Sequence, residues 1–114
     1  MSRDDATLLD MLKAARLAVA FKGDLSKDAF LNDLKTQSAI LHQLLVLGEA
    51  TKRVSQKLRA AHPQIPWKMI AGMRNKLIHE YDEVDLDEVW KTVSSDVPSL
   101  INMLEPLAPQ KLGS

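Results

Sequence analysis

One short stretch of this 114-residue chain gathers a fixed cation, a proton carrier and a phenol: Arg74-Asn75-Lys76-Leu77-Ile78-His79-Glu80-Tyr81. The chemistry such groups suit is phosphodiester cleavage. Arginine presents planar, permanently charged donors that match two phosphate oxygens at once. A pentacovalent transition state carries more negative charge than the ground state, so a guanidinium fixed there favours the transition state. Histidine moves protons near neutral pH. RNA carries its own nucleophile, the 2′-hydroxyl, so no metal-bound water is needed. Arg74 and His79 are therefore the candidate catalytic pair, and Asn75, Lys76 and Tyr81 are candidates to orient the phosphate, bind RNA or hold the histidine. The residues alone leave another possibility open, an Arg74 tied into a surface ion pair with Asp82 or Glu83 beside a half-buried histidine and tyrosine.

Helix geometry qualifies the grouping. At about 100° per residue, Arg74 and Tyr81 share nearly one face, whereas His79 projects roughly 140° away from Arg74. A regular helix in one chain does not bring the three together. Either the helix distorts at its end near Glu80, or a second subunit completes the site, which makes dimerisation part of the hypothesis.

Other chemistries find no support. The chain has no cysteine, which removes disulfides, thiolate zinc sites and cysteine nucleophiles. No phosphate-cradling glycine loop or nucleophile elbow occurs. His42 lies among leucines and is expected half-buried or at the surface. His62 sits at a helix end, where the helix dipole suffices to explain it. Neither has neighbours with metal-ligand spacing, so no metal or cofactor is expected. Apolar runs are far shorter than the roughly 20 residues that span a bilayer, and the polar start Met1-Ser2-Arg3-Asp4-Asp5 leads into no signal-peptide core. A cytoplasmic protein is the expectation. The formal net charge is zero, but the charges are segregated. Lys52, Arg53, Lys57, Arg59, Lys68, Arg74 and Lys76 fall in a stretch free of acid, and Glu80, Asp82, Glu83, Asp85, Asp87 and Glu88 come after it. Such asymmetry fits either a basic face for RNA and an acidic one for a partner, or two solvated surfaces.

The elements that must position these residues read as helices throughout. Leu8, Met11, Leu12, Ala15, Ala18 and Val19 form one apolar stripe, which Gly23 terminates as a C-terminal cap. Ser26 is placed to cap the next helix. A long helical stretch from Asp28 to about Ala61, split near Asp33, buries Ile40, Leu41, Leu44, Leu45, Leu47, Val54 and Leu58. Gly48 sits in its middle at a cost of roughly 1 kcal/mol against alanine, which a close helix crossing would offset. Glu49 beside it is expected to be a solvated charge rather than a buried partner for arginine. His62-Pro63-Gln64-Ile65-Pro66 ends that stretch, and Pro66 suits the first turn of the helix carrying the motif. Asp85 and Glu88 form an aspartate capping box for a last helix, which Pro98 should kink or interrupt. Trp67 and Trp90 are expected as core anchors. The sum is an all-α bundle of four to five helices, a single domain over residues 1–108 with a disordered tail at 109–114.

The motif, R-x4-H-x-Y, resembles the signature of HEPN domains. Its surroundings resemble HepT-type toxins in particular: Gly48-Glu49-Ala50-Thr51-Lys52, Ile65-Pro66-Trp67, Met69-Ile70-Ala71-Gly72-Met73-Arg74-Asn75, Val89-Trp90 and Asp96-Val97-Pro98-Ser99-Leu100. The likeness extends from Leu8 to about Leu104. It implies a HEPN-type bundle forming a homodimer, with an RNA-cleaving cleft lined by both copies of the motif. It also implies catalysis by Arg74 and His79 without metal, leaving a 2′,3′-cyclic phosphate. The partner implied is a nucleotidyltransferase antitoxin of the MNT type, which adenylylates Tyr81 and so blocks the cleft with bulk and negative charge. The competing function is a non-catalytic HEPN interaction module that dimerises and binds a nucleotidyltransferase or RNA.

Overall fold

Ser2 and Asp5 exchange hydrogen bonds in a reciprocal capping box that starts α1 (Arg3–Lys22). The helix stops at Gly23, whose φ of 53° is open to glycine and whose N–H donates back to the Val19 carbonyl at 3.0 Å. Residues 2–79 and 83–109 are described by a computed structural model, with the backbone alone at Ile78 and His79. Ser26 caps the short α2 (Lys27–Leu31), and Asp33 caps α3 (Leu34–Thr51) by accepting from the Thr36 N–H at 3.1 Å. Gln37 stitches the two helices, its amide donating to the carbonyls of Phe30 and Leu31.

The stretch expected as one helix to Ala61 breaks a second time, at residues 52–55, and resumes as α4 (Gln56–Ala61). The cause lies far off in sequence. The Asp4 carboxylate in the first turn of α1 accepts from the Ser55 N–H at 3.0 Å and from its hydroxyl. Those bonds hold the Asp4 carboxyl below the usual carboxylate range. They also fix Ser55 outside the helix, where its own Oγ caps Leu58 N–H.

Pro66 sits one residue before α5 (Trp67–His79), and its carbonyl accepts the first helical bond, from Ile70. Trp67 is buried as expected, with Nε1 donating to the His62 carbonyl at 2.9 Å. Asp85 caps α6 (Leu86–Lys91) through the backbone N–H groups of Asp87 and Glu88. The rod then passes through a π-helical turn at Thr92–Asp96 into α7 (Val97–Leu104). Pro98 accounts for the turn. It has no N–H for the Ser94 carbonyl, and one residue earlier the Val97 N–H reaches back five positions to Thr92. The interruption expected at Pro98 thus appears as a slipped ladder on its N-terminal side. Trp90 is half-buried, tilted against Phe30 with ring centroids 5.4 Å apart, and the Lys22 ammonium lies over its face.

α1 packs along α3 and α7, and α3 packs along α5. One continuous core joins Leu8, Met11 and Leu12 to Ile40, Leu44, Leu47, Ile70, Leu77, Val93 and Leu100. The result is an all-α bundle of four long rods with two short helices, and no strand among the described residues. Leu107 and Ala108 still pack on the core; of the tail expected to be disordered, residues 110–114 lie outside the described residues. Among the described residues no helix is long and apolar enough to cross a membrane.

Two mid-helix glycines behave differently. Gly72 is exposed, and a Cβ there would meet nothing within 4 Å. Gly72→Ala is therefore expected to stabilise the chain by about 0.5–1 kcal/mol through helix propensity and a less disordered unfolded state. Chemical denaturation checks this, and an unchanged or lower midpoint would show that this face is occupied in solution.

Candidate functional site

The other glycine, Gly48, faces Arg74. A Cβ built on Gly48 would collide with the Arg74 Cβ and lie 3.1 Å from its Cα. Lacking that Cβ, α3 crosses α5 closely enough to set Arg74 at the contact. The close crossing expected at Gly48 is present, and its partner is the candidate catalytic arginine rather than a passive core residue.

Glu49 corrects the expectation made for it. Its side chain is half exposed, yet its Oε2 lies 2.7 Å from Arg74 Nε. The Arg74 side chain is only 29% exposed, so the charge sits partly out of water. The acidic partner of Arg74 in the described structure is therefore Glu49 on α3, not Glu83; Asp82 lies outside the described residues. Arg74 Nη1 donates to the Asn75 Oδ1 at 3.0 Å. Of the guanidinium's donors, the Nε edge thus faces Glu49 and one Nη1 hydrogen is taken by Asn75. Among the described residues nothing pairs with the Nη2 hydrogens or the second on Nη1, and these suffice to grip a phosphate at two oxygens.

The described structure brings Arg74, Asn75 and Glu49 together. Lys76 is placed elsewhere: it lines a separate, mostly apolar groove with Met69, Met73 and Leu77 between α5 and the α6–α7 rod. The α5 backbone stays α-helical through His79; Glu80, where a distortion was the alternative to a second subunit, lies outside the described residues. Tyr81 lies outside the described residues.

Arg74 and Glu49 open into a cleft of about 640 Å³ between α1 and α3. Its lining includes Asp10, Lys13, Leu17, His42, Val46 and Arg53, and Asp10 pairs with Arg53 at 3.2 Å. Sequence reasoning did not assemble this cleft. The signal was present on each helix: Asp10, Lys13 and Leu17 share one face of α1, and His42, Val46 and Glu49 share one face of α3. What was missing was the register that sets the two faces side by side. His42 is exposed, within the range expected for it.

Comparison with known proteins gives one consistent result. Residues 11–107 match the family described as "Ribonuclease HepT-like". A protein of Thermococcus cleftensis named "Probable ribonuclease HepT" is 42% identical over 100 residues, covering 88% of this chain and 91% of the relative. A protein provisionally named an RNase in Methanocaldococcus jannaschii is 37% identical, covering 90% of this chain and 84% of its own. Another, from Caldanaerobacter subterraneus, is 40% identical over 76 residues, 67% of this chain and 68% of the relative. No solved structure matches the chain.

Proposed function

Because this chain belongs to the family of HepT-like ribonucleases, we propose that it is the toxin of a toxin–antitoxin pair, an endoribonuclease acting through Arg74 and His79. The observation that carries this reading is the posture of Arg74, braced on its Nε edge by Glu49 where both residues line an open cleft. In the reaction the 2′-hydroxyl loses its proton and attacks the adjacent phosphorus. The P–O5′ bond breaks, a 2′,3′-cyclic phosphate forms, and the leaving 5′ oxygen takes up a proton. Arg74 stabilises the charge that builds on the phosphoryl oxygens, His79 carries one of the two proton transfers, and solvent water carries the other. Asn75 steadies the guanidinium, and Tyr81 contributes to holding RNA; Lys76, in its separate groove, has no part in this scheme. No step calls for a metal, since nucleophile, charge stabiliser and proton carriers are all supplied by RNA, protein and water.

Function as a homodimer is the reading the helix favours. With α5 regular through His79, Arg74 and His79 of one copy diverge by roughly 140°, and a second copy supplies the facing group. Control by an MNT-type nucleotidyltransferase is the matching regulation: the Tyr81 oxygen takes the adenylyl group of ATP and pyrophosphate leaves. The phosphate so added, on a residue of the same motif, would compete for the Arg74 guanidinium.

The test is cleavage of total RNA in EDTA by purified protein whose intact mass excludes added AMP, beside the His79→Ala variant. Cleavage by the wild type alone is expected. No cleavage by either protein would leave the non-catalytic interaction module, a possibility to which the Glu49 carboxylate lends weight because it already offsets part of the Arg74 charge.

A further inference from the structure

The cleft between α1 and α3 runs well beyond Arg74, and the catalytic scheme uses only its end. Its volume of about 640 Å³ lies inside the roughly 300–1,000 Å³ usual for ligand pockets. Leu17, Leu45 and Val46 give it an apolar floor, and Val46 is 37% exposed. Lys13, His42 and Arg53 stand along its length. Among the described residues its two carboxylates are each already opposite a guanidinium, Asp10 against Arg53 at 3.2 Å and Glu49 against Arg74 at 2.7 Å. The Lys13 ammonium is therefore positive charge that no carboxylate among the cleft's described residues cancels.

An apolar floor with a cationic wall, continuous with a phosphate-gripping arginine, is the chemistry of a single-stranded nucleic acid subsite. Unstacked bases need a surface on which to lie, and the backbone beside them needs cations. We propose that the α1–α3 cleft holds the RNA nucleotide next to the scissile phosphate, with its base on Leu17 and Val46 and its phosphate on Lys13. His42, exposed between them on α3, presents its ring to the same nucleotide. This inference rests on the ribonuclease reading but concerns binding, so the two can fail separately. A protein helix fits the cleft less well, because the apolar floor is flanked by charge on both helices, Asp10 and Lys13 on α1 and Glu49 on α3.

The experiment uses a 2′-O-methylated RNA oligonucleotide, which binds but has no free nucleophile, titrated into wild type, Lys13→Gln and Val46→Asp at several salt concentrations. Cleavage of the unmethylated oligonucleotide and the oligomeric state of each variant are measured alongside. Lys13→Gln is expected to weaken binding about tenfold, as loss of a charged contact does, and to reduce the salt slope by about 0.7, one phosphate contact on a single strand. In cleavage the loss falls on KM rather than kcat. Val46→Asp is expected to weaken binding at least as much. Wild-type cleavage with unaltered KM and salt slope in both variants would overturn the subsite and leave the ribonuclease standing. Weakened binding in the variants with no cleavage by wild type would support the subsite and remove the ribonuclease. Variants that change oligomeric state while binding RNA as before would assign the cleft to a protein partner and overturn the proposal.

Discussion

Arg74→Lys loses RNA cleavage by a factor of about 10²–10³, the usual cost of removing one transition-state donor, while the protein stays folded. The substitution keeps the charge, so the loss isolates geometry. Arg74 divides its donors between two jobs: Nε faces Glu49 at 2.7 Å and Nη1 donates to Asn75, which leaves the other outer donors of this cleft-lining side chain for phosphate. An ammonium is a compact point charge that cannot hold a carboxylate on one edge and a phosphate on the other. Drawn to Glu49, it leaves the phosphate unattended; drawn to the phosphate, it leaves its own position unfixed. The expected signature is a fall in kcat with little change in thermal midpoint, because the side chain is part-exposed and its ion pair contributes modestly to stability. A lysine variant with a tenth or more of wild-type activity would show that charge alone suffices at this position.

Gly48→Ala is the second large effect, and it strikes stability and activity together. Overpacking a close-set contact costs about 1–3 kcal/mol, against roughly 1 kcal/mol returned by alanine's better helix propensity. The added methyl would meet Cβ and Cα of Arg74 rather than the end of a flexible chain, so the helices must part. That places the net loss near the top of the range, at about 2 kcal/mol. Arg74 moves with α5, and misplacement of a catalytic group by about 1 Å can cost 10²-fold. Urea denaturation and RNA cleavage on the same preparation check both halves. An alanine variant as stable and as active as wild type would mean that α3 and α5 have room to spare at the crossing.

These two residues also mark the boundary of what was legible in the sequence. Helix starts and stops were written locally: Ser26 and Asp85 cap where side-chain chemistry demands, and Gly23 ends α1 with a positive φ. Pro98 announced a disturbance, although its form as a π turn depended on how the ladder relaxed. The break at residues 52–55 was hidden because no glycine or proline marks it; the signal is Asp4, reaching Ser55 from the other end of the fold. Glu49 was misjudged for a related reason. Exposure and pairing were treated as alternatives, whereas a half-exposed carboxylate at a helix crossing does both. Lys76 shares the motif with Arg74 by sequence but not by direction, since residues two positions apart on a helix point about 160° from one another.

The crossing bears on any attempt to transplant the chemistry. Grafting the eight-residue string from Arg74 to Tyr81 onto the helix of another bundle would carry over the side chains but not the guanidinium's orientation. A host residue with a Cβ opposite the arginine would displace it, and a host without a carboxylate one position further on would leave the Nε edge to choose its own partner. The smallest portable unit is a pair of helices in fixed register, with glycine and glutamate on one and the arginine motif on the other.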